Sequence, residues 1–337
     1  MSATSSPHLH GPASLNRVML QVSLALLPAL AAHAWLFGWG ILFNLAIACT
    51  VALGSEALVL KLRGRPITPT LLDGSALVTA LLLAMALPPL APWWLPTVGV
   101  AFAIIFAKQL YGGLGFNPFN PAMVGYVVLL ISFPREMTAW LSPAELRETA
   151  LSLGMTASAV FGGGAIDSLS GATPLDTLKT QLGMGVTIAQ VMSSSLFGYL
   201  GGRGWEIVNV MVLLGGLWLL FKRVISWHVP VAMLGSLFAI AAVFHLIDPA
   251  AYAPPLFHLF GGAAMLGAFF IATDPVSCAT SNRGRLLFGV GVGLLTYTIR
   301  SWGGYPDGVA FSVLLMNMAA PTIDYYTRPR VFGQKGG

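Results

Sequence analysis

Hydrophobic residues lie along this chain in long uninterrupted runs, without the alternation that is typical of half-buried strands. A helix that crosses the hydrocarbon core of a bilayer needs about 20 such residues. Runs near that length cover residues 18–37, 41–60, 71–89, 93–110, 205–221, 227–247, 256–272 and 286–299. Two shorter runs, 122–133 and 308–320, complete a prediction of ten segments in an all-α polytopic membrane protein.

The composition supports this class of protein and excludes a soluble one. Charged residues make up 9% of the chain and hydrophobic residues 56%, whereas about a quarter of an average soluble protein is charged. Lipid must therefore cover much of the surface. The two cysteines are too few for a disulfide framework. The net charge of +5 is explained by membrane topology, so we expect no nucleic acid partner.

Lysine and arginine residues predict the orientation in the membrane, because they are enriched in cytoplasmic loops. With the amino terminus inside, twelve of the 17 basic residues fall on the cytoplasmic side and five outside. The carboxyl terminus is then also inside. We expect a tail and five segments in residues 1–134, an external loop in residues 135–204, and five segments and a tail in residues 205–337.

The two sets of segments look like copies of each other. Residues 74–84 align without gaps with residues 262–272, and residues 124–132 align with residues 309–317. These alignments link the third segment to the eighth and the fifth to the tenth. Because five is odd, the second copy is predicted to be inverted. The short fifth and tenth segments each follow glycine and proline breakers, and such interrupted pairs indicate a binding site or pathway near the midplane.

The external loop contains the sequence that carries most chemical information, residues 167–176. Thr173 fits the position before a helix, where Asp176 would favour the positive helix end. A second interpretation is that the small residues Gly171 and Ala172 let a bulky group approach the hydroxyl. A phosphate on a helix-initiating threonine would face free N–H groups and the positive dipole end, so the two interpretations are compatible.

The spacing Asp167-x-x-Ser170-Gly171-Ala172-Thr173 resembles the motif at which a periplasmic flavin transferase moves FMN from FAD onto a threonine hydroxyl. Other stretches resemble RnfD of the Rnf electron-transport complexes, whose family also includes a membrane component of the sodium-pumping NADH:quinone reductase. These stretches are residues 6–8, 73–79, 112–121, 272–277, 307–311 and 324–330. The resemblance extends over nearly the whole chain.

This resemblance implies a redox subunit of a complex in the bacterial inner membrane that couples electron flow between ferredoxin and NAD to Na⁺ or H⁺ transport. FMN would be joined to Thr173 through a phosphoester, in the periplasm, where the transferase works. The implied partners are RnfA, RnfB, RnfC, RnfE and RnfG, the transferase and the lipid bilayer. The chain would form part of a translocase-type oxidoreductase without a complete active site of its own. The family also allows a non-covalent riboflavin nearer the cytoplasm.

Polar residues at the cytoplasmic ends of two segments form a second candidate site, for the polar edge of that flavin or for a cation. They are Asn117, Asn120, Thr273 and Asp274. The alternative is a proline-bounded helix end with an Asx turn.

Three further carboxylates have structural interpretations. Glu56 is expected to meet Lys61 or interfacial water. Asp73 and Asp307 are expected to cap helices, although ionisable groups at membrane boundaries also suit ion entry.

A solute channel or transporter is the competing function, since ten segments with broken fifth and tenth elements suit a permease equally well. No stretch resembles a Walker loop, a dinucleotide-binding fingerprint or a catalytic triad. Composition and topology leave both functions open. The flavin-attachment motif favours electron transfer.

Overall fold

The computed structural model describes residues 12–147, 151–162 and 170–327. The helices before the loop are α1 (Pro12–Phe37), α2 (Gly40–Leu62), α3 (Ile67–Leu71), α4 (Ser75–Ala86), α5 (Trp94–Phe102) and α6 (Pro121–Ser132). A π-helical segment, Ala103–Gln109, continues α5.

The loop contains α7 (Pro134–Thr138), a 3₁₀ turn (Ala144–Leu146), α8 (Leu153–Gly162), α9 (Pro174–Gly183) and α10 (Ile188–Met192). Its strands β1 (Trp140–Leu141) and β2 (Ser170–Gly171) pair antiparallel. The second half contains α11 (Trp205–Phe221), α12 (His228–Ile247), α13 (Pro255–Phe260), α14 (Ala264–Leu266), the π-helical segment Gly267–Ile271, α15 (Asn282–Trp302) and α16 (Val309–Thr327).

The helical class of the prediction is confirmed. Within the described residues, α1, α2 and α12 are long and apolar enough to cross a membrane on their own. The remaining segments are shorter or carry more polar residues, and each of the ten predicted runs coincides with helical structure. Short polar segments of this kind are stable in a bilayer when neighbouring helices cover them.

Equivalent helices of the two halves pack against each other in opposite directions. Phe37, at the end of α1, contacts Trp205, at the start of α11, with 4.7 Å between ring centroids. Farther along the same pair, Gly215 lies directly against the backbone carbonyl of Ala25. Helices α6 and α16, the fifth and tenth segments, also pack together. Antiparallel contact between corresponding helices is the arrangement that an inverted repeat produces.

The interruptions in the segments lie partly elsewhere than predicted. The fifth segment is short, because α6 has only 12 residues. The tenth is not, since α16 has 19 residues and continues through Pro321. The polar residues after Ala320 lower the hydropathy without ending the helix, which explains the error.

The third and eighth segments are the matching broken pair. The eighth is divided between α13 and α14 at Gly261 and Gly262. Gly262 has a φ of 57°, and Gly74, before α4, has a φ of 79°. These two glycines occupy the same position in the aligned repeats, and left-handed backbone of this kind favours glycine.

The described part of the loop covers one end of the helix bundle, which we call the loop side. Lys179 of α9 donates to the backbone carbonyls of Ile299 (3.3 Å) and Tyr305 (2.8 Å), and also to that of Gly303. Desolvation of the Lys179 ammonium lowers its pKa, an effect that Asp176 opposes. These bonds hold α9 against the end of α15, at the side where α1 ends and α11 begins.

Candidate functional site

A cavity opens beneath the loop and extends between the two halves of the bundle. It encloses about 1230 Å³ of empty space, a figure that includes the solvent-filled space of its open mouth. Its lining includes His33, Met123, Tyr126, Trp140, Thr173, Asp176, Trp205, Asn209, Ile271 and Asp307. The cavity therefore joins the predicted attachment residue to the helices of both repeats.

Thr173 lies at the cavity wall as the cap of helix α9. Its hydroxyl oxygen accepts a hydrogen bond from the backbone N–H of Asp176 at 3.2 Å, and Pro174 occupies the first helical position. The helix-cap interpretation is confirmed. Thr173 is only half-buried and lines the cavity, so space adjoins this residue.

Two of the three small residues before Thr173, Ser170 and Gly171, belong to the two-stranded sheet. Gly171 pairs with Trp140, which brings that indole to the same cavity wall as Thr173. Ser170 pairs with Leu141, and Ala172 is exposed. Strands of two residues have no detectable periodicity, so the sequence did not predict them.

Asp167, the first residue of the predicted motif, lies outside the described residues. Of the motif positions, the structure therefore places Ser170, Gly171, Ala172 and Thr173.

Aromatic rings form one wall of the cavity. Trp140 contacts Trp205 edge to face at 4.8 Å, and Trp205 contacts Phe37 at 4.7 Å. His33 lies 4.9 Å from Phe37, one helical turn earlier in α1. The sequence did not predict that the loop and two helices would bring these aromatic side chains together.

Asp307 contributes a carboxylate to the lining. One of its oxygens accepts from the Arg300 guanidinium at 3.0 Å, and the other accepts from the backbone N–H of Ala263 at 2.7 Å. Arg300 also donates to the carbonyls of His258 (2.5 Å) and Gly261 (3.0 Å). Asp307 caps α16, as predicted, and in addition ties the broken eighth segment to the cavity.

At the end of the bundle opposite the loop, hydrogen bonds bring Asn120 and Asp274 together through a residue that the sequence did not single out. The backbone N–H of Asn120 donates to the Asn317 side chain at 3.1 Å, and the Asn317 amide donates to the carbonyl of Ser277 at 2.9 Å. The hydroxyl of Ser277 in turn donates to Asp274 at 2.9 Å. The Asn120 side chain caps α6.

Thr273 and Asp274 of this second candidate site form hydrogen bonds with residues close in sequence, whereas one oxygen of Asn117 forms none among the described residues. The Thr273 hydroxyl donates to the carbonyl of Phe269 at 2.8 Å. Asp274 accepts the N–H of Val276 in an Asx turn, and burial raises the pKa of Asp274 while this bond and that from Ser277 oppose the rise. The buried carbonyl oxygen of Asn117 has no hydrogen-bond partner among the described residues.

Glu56 does not meet Lys61 or interfacial water, so this expectation was wrong. Its carboxylate accepts from Lys108 at 2.6 Å and from Gln109 at 2.7 Å. Lys108 also donates to the hydroxyl of Ser75 at 2.7 Å. Both charged residues are fully buried, Lys108 in the π-helical segment after α5 and Glu56 in α2.

These features define a polytopic helical membrane protein with a cavity beneath the loop. The model of the NQR2, RnfD, RnfE family matches residues 2–333, and the chain belongs to that family. The resemblance that the motifs indicated is confirmed.

Similar proteins share nearly the full length. The D subunit of the ion-translocating oxidoreductase complex of Escherichia fergusonii is 53% identical over 346 residues, covering 99% of this chain and 98% of that protein. The protein of the same name from Aliivibrio salmonicida is also 53% identical, covering 99% of each chain. That from Aeromonas hydrophila is 53% identical and covers 98% of each.

Proposed function

We propose that this chain is the D subunit of an ion-translocating oxidoreductase complex of the Rnf type, with FMN esterified to Thr173 as its electron carrier. Family membership and the names of the full-length relatives support the subunit assignment. The observation that carries the flavin assignment is the position of Thr173 in the wall of a cavity between the repeats.

The residues around Thr173 fit a phosphate. Thr173 precedes a helix of ten residues, and the N–H groups and dipole of a helix start favour an anion. Gly202 lies so close to the ring of Pro174 that a Cβ there would overlap it. The absence of a side chain at Gly202 therefore lets the start of α9 approach the cavity.

The remaining lining fits a planar aromatic ring. Trp140, Trp205 and Tyr126 offer aromatic surfaces, and Asn209 and Asp307 add polar groups. Binding pockets combine apolar walls with a few placed polar groups in this way. A bound flavin supplies one- and two-electron transfer, and the protein sets its position and surroundings.

Attachment transfers the FMN part of FAD to the hydroxyl of Thr173. The threonine oxygen forms a bond to the FMN phosphorus of FAD, the diphosphate linkage breaks, AMP leaves and the hydroxyl proton is released. The flavin transferase is the partner for this step. The half-buried position of Thr173 and the exposure of Ala172 leave room for an enzyme to reach the hydroxyl.

The orientation and the transported ion belong to the same proposal. The distribution of lysine and arginine supports a periplasmic loop side and cytoplasmic termini in a bacterial inner membrane. The complex would move Na⁺ or H⁺ with the electrons, and this chain would contact RnfA, RnfB, RnfC, RnfE and RnfG within it.

A second, non-covalent flavin, riboflavin, is proposed at the opposite side, near Asn117, Asn120, Thr273 and Asp274. The support is the buried oxygen of Asn117, which has no partner among the described residues, since buried acceptors are nearly always hydrogen-bonded.

A denaturing gel viewed under ultraviolet light tests the covalent flavin. Protein from a host that contains the transferase should give a fluorescent band, and Thr173→Ala should abolish it. Thr177→Ala is the matched control, since it removes a hydroxyl one turn later in α9, outside the cavity lining. A dark wild-type band would contradict the proposal and favour a permease.

A further inference from the structure

We propose that His33 of α1 binds the isoalloxazine ring of the flavin by a hydrogen bond, and so helps to set its reduction potential. The inference rests on the proposed function, since it concerns the same cavity. It adds a residue on a transmembrane helix that lies outside the attachment motif.

The geometry around His33 leaves both ring nitrogens available. Its side chain is buried, at 1% exposure, and lines the cavity that contains Thr173. Neither nitrogen has a hydrogen-bond partner among the described residues. Buried polar groups without partners are rare in folded proteins, and each requires an explanation such as a ligand or a bound water.

Two other polar side chains of the lining, those of Asn209 and Asp307, already have partners. The Asn209 amide donates to the carbonyls of Trp205, Phe260 and Gly262. Asp307 accepts from Arg300 and from two backbone N–H groups. His33 therefore has hydrogen-bonding capacity that the described protein groups do not use.

Contacts with aromatic rings hold the imidazole at the cavity wall. Phe37 lies 4.9 Å from it, and Trp205 meets it edge to face at 6.4 Å. A neutral imidazole donates at one nitrogen and accepts at the other. The flavin ring carries carbonyl and ring-nitrogen acceptors and one N–H donor, so its polar edge matches either nitrogen. Reduction makes the ring more electron-rich, and a donated hydrogen bond then stabilises the reduced form.

The test is a redox titration of purified, covalently flavinylated protein, followed by visible absorption. His33→Leu and His33→Met should raise the ratio of oxidised to reduced flavin at a fixed potential by about tenfold. For a two-electron couple this corresponds to a reduction potential about 30 mV more negative. His33→Gln, which retains a donor and an acceptor, should recover most of the difference. Thr296→Val is the matched control, because its buried hydroxyl also lacks a partner among the described residues but lies outside the cavity lining.

The outcomes separate the two proposals. Fluorescent bands with identical titrations in wild type and the apolar variants would overturn the role of His33 and leave the tethered flavin intact. A dark wild-type band would overturn the proposed function itself.

If the apolar variants do not fold, redox-difference infrared spectra answer the same question. Wild-type protein labelled with ¹³C-histidine should show isotope-shifted imidazole bands on flavin reduction, and His33→Gln should remove them. The absence of such bands from the wild type would overturn the inference.

Discussion

The ammonium of Lys108 lies 2.6 Å from the carboxylate of Glu56, and both side chains are fully buried within the helix bundle. Lys108 belongs to the π-helical continuation of α5 and Glu56 to α2. A charge taken out of water is costly unless it is paired, so each of these residues requires the other. The pair therefore fixes how the fourth segment packs against the second.

Removal of one partner of this pair should be strongly destabilising. Lys108→Met leaves the Glu56 carboxylate buried without its cation, which should lower the free energy of unfolding by about 3–5 kcal/mol. The double variant Lys108→Met/Glu56→Leu should recover much of this loss. Thermal unfolding in detergent measures both, with the exposed Lys61→Met as a control. A Lys108→Met protein as stable as wild type would show that the pair is dispensable.

Flavin attachment should depend on the close contact between Gly202 and Pro174. In Gly202→Val the new side chain would overlap the proline ring, displace the start of α9 and move Thr173 from the cavity wall. We expect a severalfold lower ratio of flavin to protein, read from gel fluorescence. Gly183→Ala, in the same helix but with open space around it, should retain full flavin. Equal loading in Gly202→Val and wild type would refute the geometric argument.

Arg300 should stabilise the break in the eighth segment, because its guanidinium donates hydrogen bonds to three acceptors around that break. Arg300→Met leaves Asp307 without its cation and removes the donors to the carbonyls of His258 and Gly261. We expect a loss of about 3 kcal/mol or more in unfolding free energy, as for other broken buried pairs. Arg300→Lys should lie between, because an ammonium cannot reproduce the planar fork of donors. Chemical unfolding in detergent measures the three stabilities. Equal stability of Arg300→Met and Arg300→Lys would contradict the prediction.

The raised pKa of Asp274 predicts a pH-dependent effect of Asp274→Asn. A carboxyl whose pKa is raised by folding binds its proton more tightly in the folded state. The stability of the wild type therefore falls as the pH rises above 3.8, the ordinary pKa of an aspartate. Asparagine does not titrate and can retain the Asx turn. The variant should therefore gain melting temperature relative to wild type at pH 7, and lose that advantage near pH 4.

The control for this prediction is Asp248→Asn, an exposed carboxylate that accepts the N–H of Ala250 in a similar turn. It tests whether loss of an Asx-turn carboxylate alone produces the effect. A constant difference between Asp274→Asn and wild type across this pH range would contradict the linkage argument.

Hydrophobic runs and local capping chemistry were readable from the sequence because they depend on neighbouring residues. The ten segments, the Thr173 cap and the Asx turn at Asp274 follow from patterns of a few residues each. The end of α16 was not readable, because hydropathy reports the apolar length of a helix and not its hydrogen bonding. The same limit hid β1 and β2, whose two-residue strands have no periodicity.

By itself, the sequence determined the membrane class, the inverted copy and the motif around Thr173, since each is recorded in the order of residues along the chain. Only the tertiary structure decided which distant groups meet. Glu56 pairs with Lys108, Trp140 meets Trp205, and His33 shares a cavity with Thr173. The physical reason is that inward directions in a bundle depend on the rotation of each helix about its axis, and packing against all neighbours at once sets that rotation.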